Sequence, residues 1–340
     1  MLKIHLLPAI VSIAAIGFVL KNLSAQPMNP TLLSVSSDKF LVDKVYKSPK
    51  RMVSGVDPDG AVGVNAEWEK ELSKHWFIEL QRFGADLIQM GLAAKNNDLI
   101  EEGIRVLNWG FAHEADGSFP GTGDPHHSIS FFLEAASRSV ILFQEAGDYI
   151  HLNELKDWKE NIRKAAEWLI TPNVFPRDRA RTMDPYTHRF FLCAAALGQA
   201  GEILDNSELK HAALVLTKTG LEKQQSDGTN PEKGGFDVSY QIVGTVFASR
   251  YLLVCEDTTV STKMRLMIRK TLEKEKTAID ENGNVSTAGS TRVTLEKGRN
   301  GRPKTMDYKM LLQALIFLSD ISGESSWRDI AGRVAVNRNW

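Results

Sequence analysis

The chain is predicted to be all-α, an incomplete α/α toroid of about five inner and outer helical hairpins. Three observations carry that expectation. Five segments are apolar nearly all round, which marks helices buried on most sides. Five others pair an apolar stripe with a charged face, as helices covering a core from outside do. The two kinds alternate along the chain, joined within pairs by short polar turns such as Lys95-Asn96-Asn97 and Asp205-Asn206-Ser207.

The first segment is not expected to join the fold. Met1 to Lys3 is a short positive start, Ile4 to Leu20 an almost unbroken apolar run, and Lys21 to Ala25 a polar, small-residue exit. This is the pattern of a signal peptide over residues 1–25, cleaved after Ala25. An uncleaved anchor competes, since the run approaches the ~17–25 residues that span a bilayer. No second apolar span follows, so a secreted or periplasmic protein without stable membrane insertion is expected. Removing Lys3 and Lys21 takes the formal charge from −1 to −3, unlike the basic balance of a nucleic-acid-binding domain. Residues 26–65, rich in Ser, Pro, Gly and Asp, read as an extended N-terminal arm or lid, and residues 66–340 as the toroid domain.

Within that domain the inner helices are predicted over His75–Ala94, Ser128–Ala146, Arg189–Leu204, Val238–Val254 and Tyr308–Ile321. The outer ones are predicted over Asp98–Phe111, Glu154–Ile170, Glu208–Lys223, Thr262–Lys276 and Ser326–Val334. In the second outer helix Leu155, Trp158, Ile162, Ala165, Ala166 and Leu169 form one stripe at helical spacing. Cys193 and Cys255 lie in apolar helical stretches and read as buried thiols, with a disulfide between them as the alternative in an exported protein. No zinc-ligand spacing occurs, and neither a metal nor another cofactor is called for.

Parallel inner helices would open all their N-termini onto one face, and the segments leading into them carry the chain's reactive side chains. These are Asp124-Pro125-His126-His127-Ser128, Asp184-Pro185-Tyr186-Thr187-His188-Arg189, Glu232 with Gly235-Phe236-Asp237-Val238-Ser239-Tyr240-Gln241, and Arg302-Pro303-Lys304-Thr305-Met306-Asp307-Tyr308. Asp124, Asp184, Asp237 and Asp307 stand where N-caps are wanted, and Pro125 and Pro185 suit a first helical turn. Capping does not account for His127, His188, Arg189, Tyr240 and Tyr308 in or beside the first turns of otherwise apolar helices. Converging ionisable groups in a concavity are the mark of a site. Two basic loops face the same way: Arg177, Arg179 and Arg181, then Arg292, Lys297, Arg299, Arg302 and Lys304. They suit an anionic polymer gripped through its carboxylate, sulfate or phosphate groups.

With Asp116-Gly117-Ser118-Phe119, His126-His127-Ser128 and Gly235 to Tyr240, residues 66–335 resemble the α/α-toroid polysaccharide lyases. The Asn-Asn-His-Ser run of alginate lyases and the aromatic-rich signature of the large hyaluronate and chondroitin lyases are both missing. The resemblance implies metal-independent β-elimination at a uronate-containing polysaccharide, with Tyr240, His188, Arg189 and His127 catalytic. Arg189, aided by His127 or Gln241, would neutralise the uronate carboxylate. His188 or a deprotonated Tyr240 would take the C5 proton, and Tyr240 would protonate the leaving oxygen. Gln241, Asp237, Glu232, His126, Tyr308, Arg299 and Arg302 are the substrate-binding candidates. A glycoside hydrolase on the same fold would draw a carboxylate pair from Asp116, Asp124, Glu232 and Asp237. A non-catalytic carbohydrate binder would need exposed aromatics, whereas Trp76, Trp109 and Trp158 read as core.

Overall fold

The computed structural model describes residues 30–46, 55–68, 70–71, 75–171, 183–298 and 302–336. The unit beginning at Thr31 is all-α: among the described residues only isolated β-bridges interrupt the helices. Its principal helices are α1 (Phe83–Ala94), α2 (Asn97–Ala112), α3 (Pro125–Ala146), α4 (Trp158–Ile170), α5 (Thr187–Leu204), α6 (Ser207–Glu222), α7 (Tyr240–Leu252), α8 (Thr258–Lys276), α9 (Tyr308–Ser322) and α10 (Ser326–Val336). Odd-numbered helices are the apolar ones, and each packs against the next, α1 on α3, α3 on α5, α5 on α7 and α7 on α9. Even-numbered helices pack on their odd-numbered neighbours and keep an exposed face. Trp158, Ile162 and Leu169 point inward from α4, and Phe131, Phe191 and Val246 are buried, as the periodicity predicts.

Two turns build the hairpins. Lys95 and Asp205 end α1 and α5 in the left-handed region, and Asn96 and Asn206 then cap α2 and α6, each accepting from two backbone N–H groups. A tight Asp-Gly turn follows the outer helix. Gly117 and Gly228 sit there at φ +77° and +91°, so close to the carbonyls of Lys164 and Lys270 on the next outer helix that a Cβ would overlap them. Gly60 and Gly283 back onto Arg105 and Arg333 in the same way. The Asp-Gly motifs therefore join outer helix to outer helix; only glycine gives both the conformation and the close approach.

The odd-numbered helices run in one direction, because their N-terminal ends meet. Arg189 of α5 pairs with Asp124 at the start of α3 at 3.0 Å, the His188 ring of α5 lies 4.9 Å from that of Tyr240 at the start of α7, and Asp307 before α9 donates its N–H to Ser239 before α7 at 3.0 Å. Lys309 of α9 reaches Asp86 of α1.

Deeper between these helices lies a buried ionic network. Glu134 of α3 accepts from Arg138 at 2.9 Å and from Arg250 of α7 at 3.1 Å, while Arg138 donates to Gln89 of α1 at 2.8 Å. Burial alone would raise Asp86, but Lys309 and Arg138 override it and hold its carboxyl below the usual carboxylate range.

Three expectations are corrected. His75 to Phe77 is not helical: Asn65 binds both backbone groups of Phe77, at 2.9 and 3.0 Å, and holds it extended, and Ile78–Arg82 is a 3-10 turn before α1 begins. Residues 31–46 are short helical pieces rather than an extended arm. Leu32 and Leu33 donate to Glu145 near the C-terminal end of α3. Finally, Asp184 does not cap α5, which starts three residues later, and instead faces Lys223 at 3.7 Å. The signal-peptide segment lies outside the described residues, within which no helix is long and apolar enough to cross a membrane. Cys193 and Cys255 are both free thiols, the first buried and the second half-buried.

Candidate active site

The missing cap of α5 is supplied from another loop. Glu232 takes the N–H of His188 at 2.9 Å, and the Pro231 carbonyl takes that of Thr187 at 3.2 Å. A tight turn anchors Glu232, whose backbone bridges Tyr186 and Gly235 while its carbonyl accepts from Thr291 at 2.7 Å. The same carboxylate accepts from His188 Nδ1 at 2.9 Å and from Arg292 at 3.1 Å. Glu232 is therefore fully buried and engaged on both oxygens. It orients His188 rather than meeting a ligand.

His188 is 2% exposed. Burial pushes its imidazole below the ordinary histidine value; Glu232 pulls the other way, while Arg292 and Arg189 add to the depression. Arg292 already neutralises Glu232, so the ring gains little from carrying a second positive charge. A neutral ring that donates from Nδ1 carries its lone pair on Nε2. That atom is buried and has no hydrogen-bond partner among the described residues. The surrounding rings are His127 at 5.8 Å, Tyr186 at 6.0 Å and Tyr240 at 4.9 Å.

Cations interleave with these rings. The Arg292 guanidinium stands 3.5 Å over Tyr240 and 4.7 Å over Tyr186, Arg189 covers Tyr186 at 4.7 Å, and Lys304 lies 4.8 Å over Tyr240. Glu296 knits the rim, pairing with Lys233, with Lys304 at 2.6 Å and with Arg292 at 3.1 Å. Its partial burial would raise its carboxyl, but these three cations win and hold it at about 2.

No protein-family model, curated protein or solved structure matches the chain. The site therefore rests on its own geometry.

That geometry brings together His127, His188, Arg189, Glu232 and Tyr240 of the expected residues. It sets Gln241 and Asp237 apart. Gln241 accepts from the Asn230 N–H at 2.9 Å and reaches the Thr271 carbonyl of α8 at 3.4 Å, so it faces outward from the cluster and cannot assist at a carboxylate there. Asp237 is fully buried with five donors: the backbones of Ser239, Tyr240, Arg292 and Val293, and the Ser290 hydroxyl. It ties the Arg292 loop to the start of α7 and has no face for substrate. His126 is buried in the first turn of α3, Tyr308 is half-buried at the start of α9, and Arg302 is exposed. Arg299, like Arg177, Arg179 and Arg181, lies outside the described residues. The sequence reading missed Tyr186, Lys233, Glu296 and the central role of Arg292. Tyr186 stood in the same entrance motif as His188, whereas nothing in sequence links Arg292 to a glutamate 60 residues earlier.

Proposed function

We propose that the chain is a polysaccharide lyase cleaving a uronate-containing polysaccharide by metal-independent β-elimination, on an incomplete α/α toroid, in the periplasm or outside the cell. One arrangement carries this reading: the buried His188 imidazole, fixed by Glu232 with its Nε2 unpartnered among the described residues, beside Tyr240, whose ring is covered by Arg292 and Lys304. Arg189, whose Nε has no partner among the described residues, neutralises the substrate carboxylate and so acidifies the adjacent C5–H. His188 Nε2 takes that proton, the C5 electron pair forms the C4–C5 double bond, and the C4–O4 bond breaks. Tyr240 gives its phenolic proton to the departing oxygen.

The chain of contacts from Asp124 through Ser239 to Lys309 supports the toroid, since it links the starts of neighbouring inner helices. Against a hydrolase, Glu232 and Asp237 are saturated by internal donors, leaving no carboxylate pair between them. Against a purely binding role, Trp76, Trp109 and Trp158 are buried. Incubating the purified protein with a panel of polyuronates tests the reading. Elimination produces the ultraviolet absorbance of a conjugated unsaturated uronate. New reducing ends without that absorbance would replace the lyase by a hydrolase, and binding without cleavage would leave a carbohydrate-binding protein.

A further inference from the structure

Far from these residues, a second cluster joins α2 to the short helix Tyr149–Glu154 that follows α3. His151, 7% exposed, stacks on Phe143 at 5.3 Å, which fixes the plane of its ring. Nδ1 meets the Asp148 carboxylate at 2.6 Å, and Nε2 faces Glu101 at 3.2 Å. One ligand atom each from Glu101, His151 and Glu154 lies within 4.8 Å of the others. Asp148 also caps its helix through the His151 N–H at 3.2 Å, so its position is set independently of the imidazole.

From this geometry we infer a site for a divalent transition-metal ion of the zinc kind, ligated by His151 Nε2, Glu101 and Glu154, with solvent completing the coordination. The arrangement at Nδ1 is the decisive feature. A metal-bound histidine is normally held by a carboxylate on its other ring nitrogen, which selects the tautomer and aims the ligand. Asp148 does this for His151. Charge points the same way: three carboxylates surround one imidazole, so even protonated His151 leaves two negative charges uncompensated, and no Lys or Arg among the described residues pairs with Asp148, Glu101 or Glu154. Spacing agrees as well. Nitrogen and oxygen ligands about 2.0–2.2 Å from zinc sit roughly 3.4 Å apart in a tetrahedron. The His151–Glu101 pair, at 3.2 Å, lies close to that separation, and Glu154 is exposed. A nitrogen ligand in a set of three favours zinc-like ions over calcium or magnesium, which prefer oxygen alone. The ligands come from segments 50 residues apart, which is why no metal spacing shows in the sequence.

Titration calorimetry of the full chain with zinc chloride near neutral pH, beside calcium and magnesium chloride, tests the site. One zinc per chain is expected, bound more tightly than either hard cation. His151→Ala and Glu154→Gln should each abolish or weaken binding, and Asp148→Asn, which keeps the helix cap, should weaken it by about 10–100-fold. Circular dichroism checks that the variants fold; Glu154 is exposed, so its variant decides the matter if His151→Ala does not. Zinc binding that is absent, or equal in wild type and Glu154→Gln, would overturn the site and leave His151 as a salt-bridged imidazolium.

Discussion

Two buried charged clusters, one among α1, α3 and α7 and one at the starts of α5 and α7, differ in one respect. In the deep network Glu134, Arg138, Arg250, Asp86 and Gln89 answer one another, acceptor for donor. At the helix entrances His188, Glu232 and Arg292 are as tightly bonded, yet His188 Nε2 has no partner among the described residues. Burial and charge are common to both, so neither distinguishes a site from a brace. The open imidazole lone pair does, because it can take a proton, which the mutually bonded groups of the deep network do not offer.

The comparison breaks first at Glu134. Glu134→Ala strands Arg138 and Arg250 in a low-dielectric interior, and removing one partner of such a cluster costs about 3–5 kcal/mol. Urea denaturation should show that loss, while the turnover of the molecules that remain folded stays near wild type. A loss below about 1 kcal/mol would mean that water reaches the network and that it is not a brace.

The entrances should behave in the opposite way. Tyr240→Phe keeps the ring beneath Arg292 and deletes only the hydroxyl, so stability should hold while turnover falls by about 10²–10⁴-fold, the usual contribution of a general acid. The pH profile gives the complementary test. The folded pKa of His188 lies below the ordinary 6.5, so between those two values the unfolded chain binds a proton that the folded one does not. The group therefore costs no stability above pH 6.5 and progressively more as pH falls below it. The acid limb of turnover should likewise lie below 6.5. A limb above that value would assign the base to another residue.

The sequence showed the helices more clearly than the site, for a physical reason. Helix periodicity is local, so the alternation of apolar and amphipathic segments survives in one dimension. His188 and Tyr240 were visible because each interrupts an apolar run at its first turn. Glu232 and Arg292 act through a contact that spans 60 residues, and a bare sequence gives Glu232 and Asp237 equal standing as acids. Only the fold shows that one faces an imidazole and the other five internal donors. Asp116-Gly117 served the sequence reading as a motif of the resemblance and as a hydrolase carboxylate; in the fold its glycine lets the turn approach the Lys164 carbonyl of α4.

That structural reading of the turns predicts a smaller effect. Gly228→Ala places a methyl against the Lys270 carbonyl at a φ of +91°. Backbone strain and overpacking should together cost about 1–3 kcal/mol, seen as a lowered urea midpoint with the slope unchanged. Gly234, also at positive φ in the Glu232 turn but with nothing within 4 Å of its would-be Cβ, separates the two contributions. Its alanine variant carries only the strain and should lose less.

The smallest effect on the fold is expected at Arg302. It is exposed on the loop that carries Lys304 to the Tyr240 ring, and exposed charges contribute ~0–1 kcal/mol to stability. Arg302→Gln should therefore leave the urea midpoint nearly unchanged. Its influence should appear only toward a charged ligand, since at about 0.1 M salt a rim charge acts over a Debye length of ~10 Å. Binding of an acidic polysaccharide should weaken at low salt, and the difference from wild type should shrink as salt is raised. If affinity at every salt concentration matches wild type, the rim contributes nothing to polyanion recognition. Any grip on the substrate would then fall to Arg292 and Arg189, whose charges are shared with Glu232, Glu296 and Asp124.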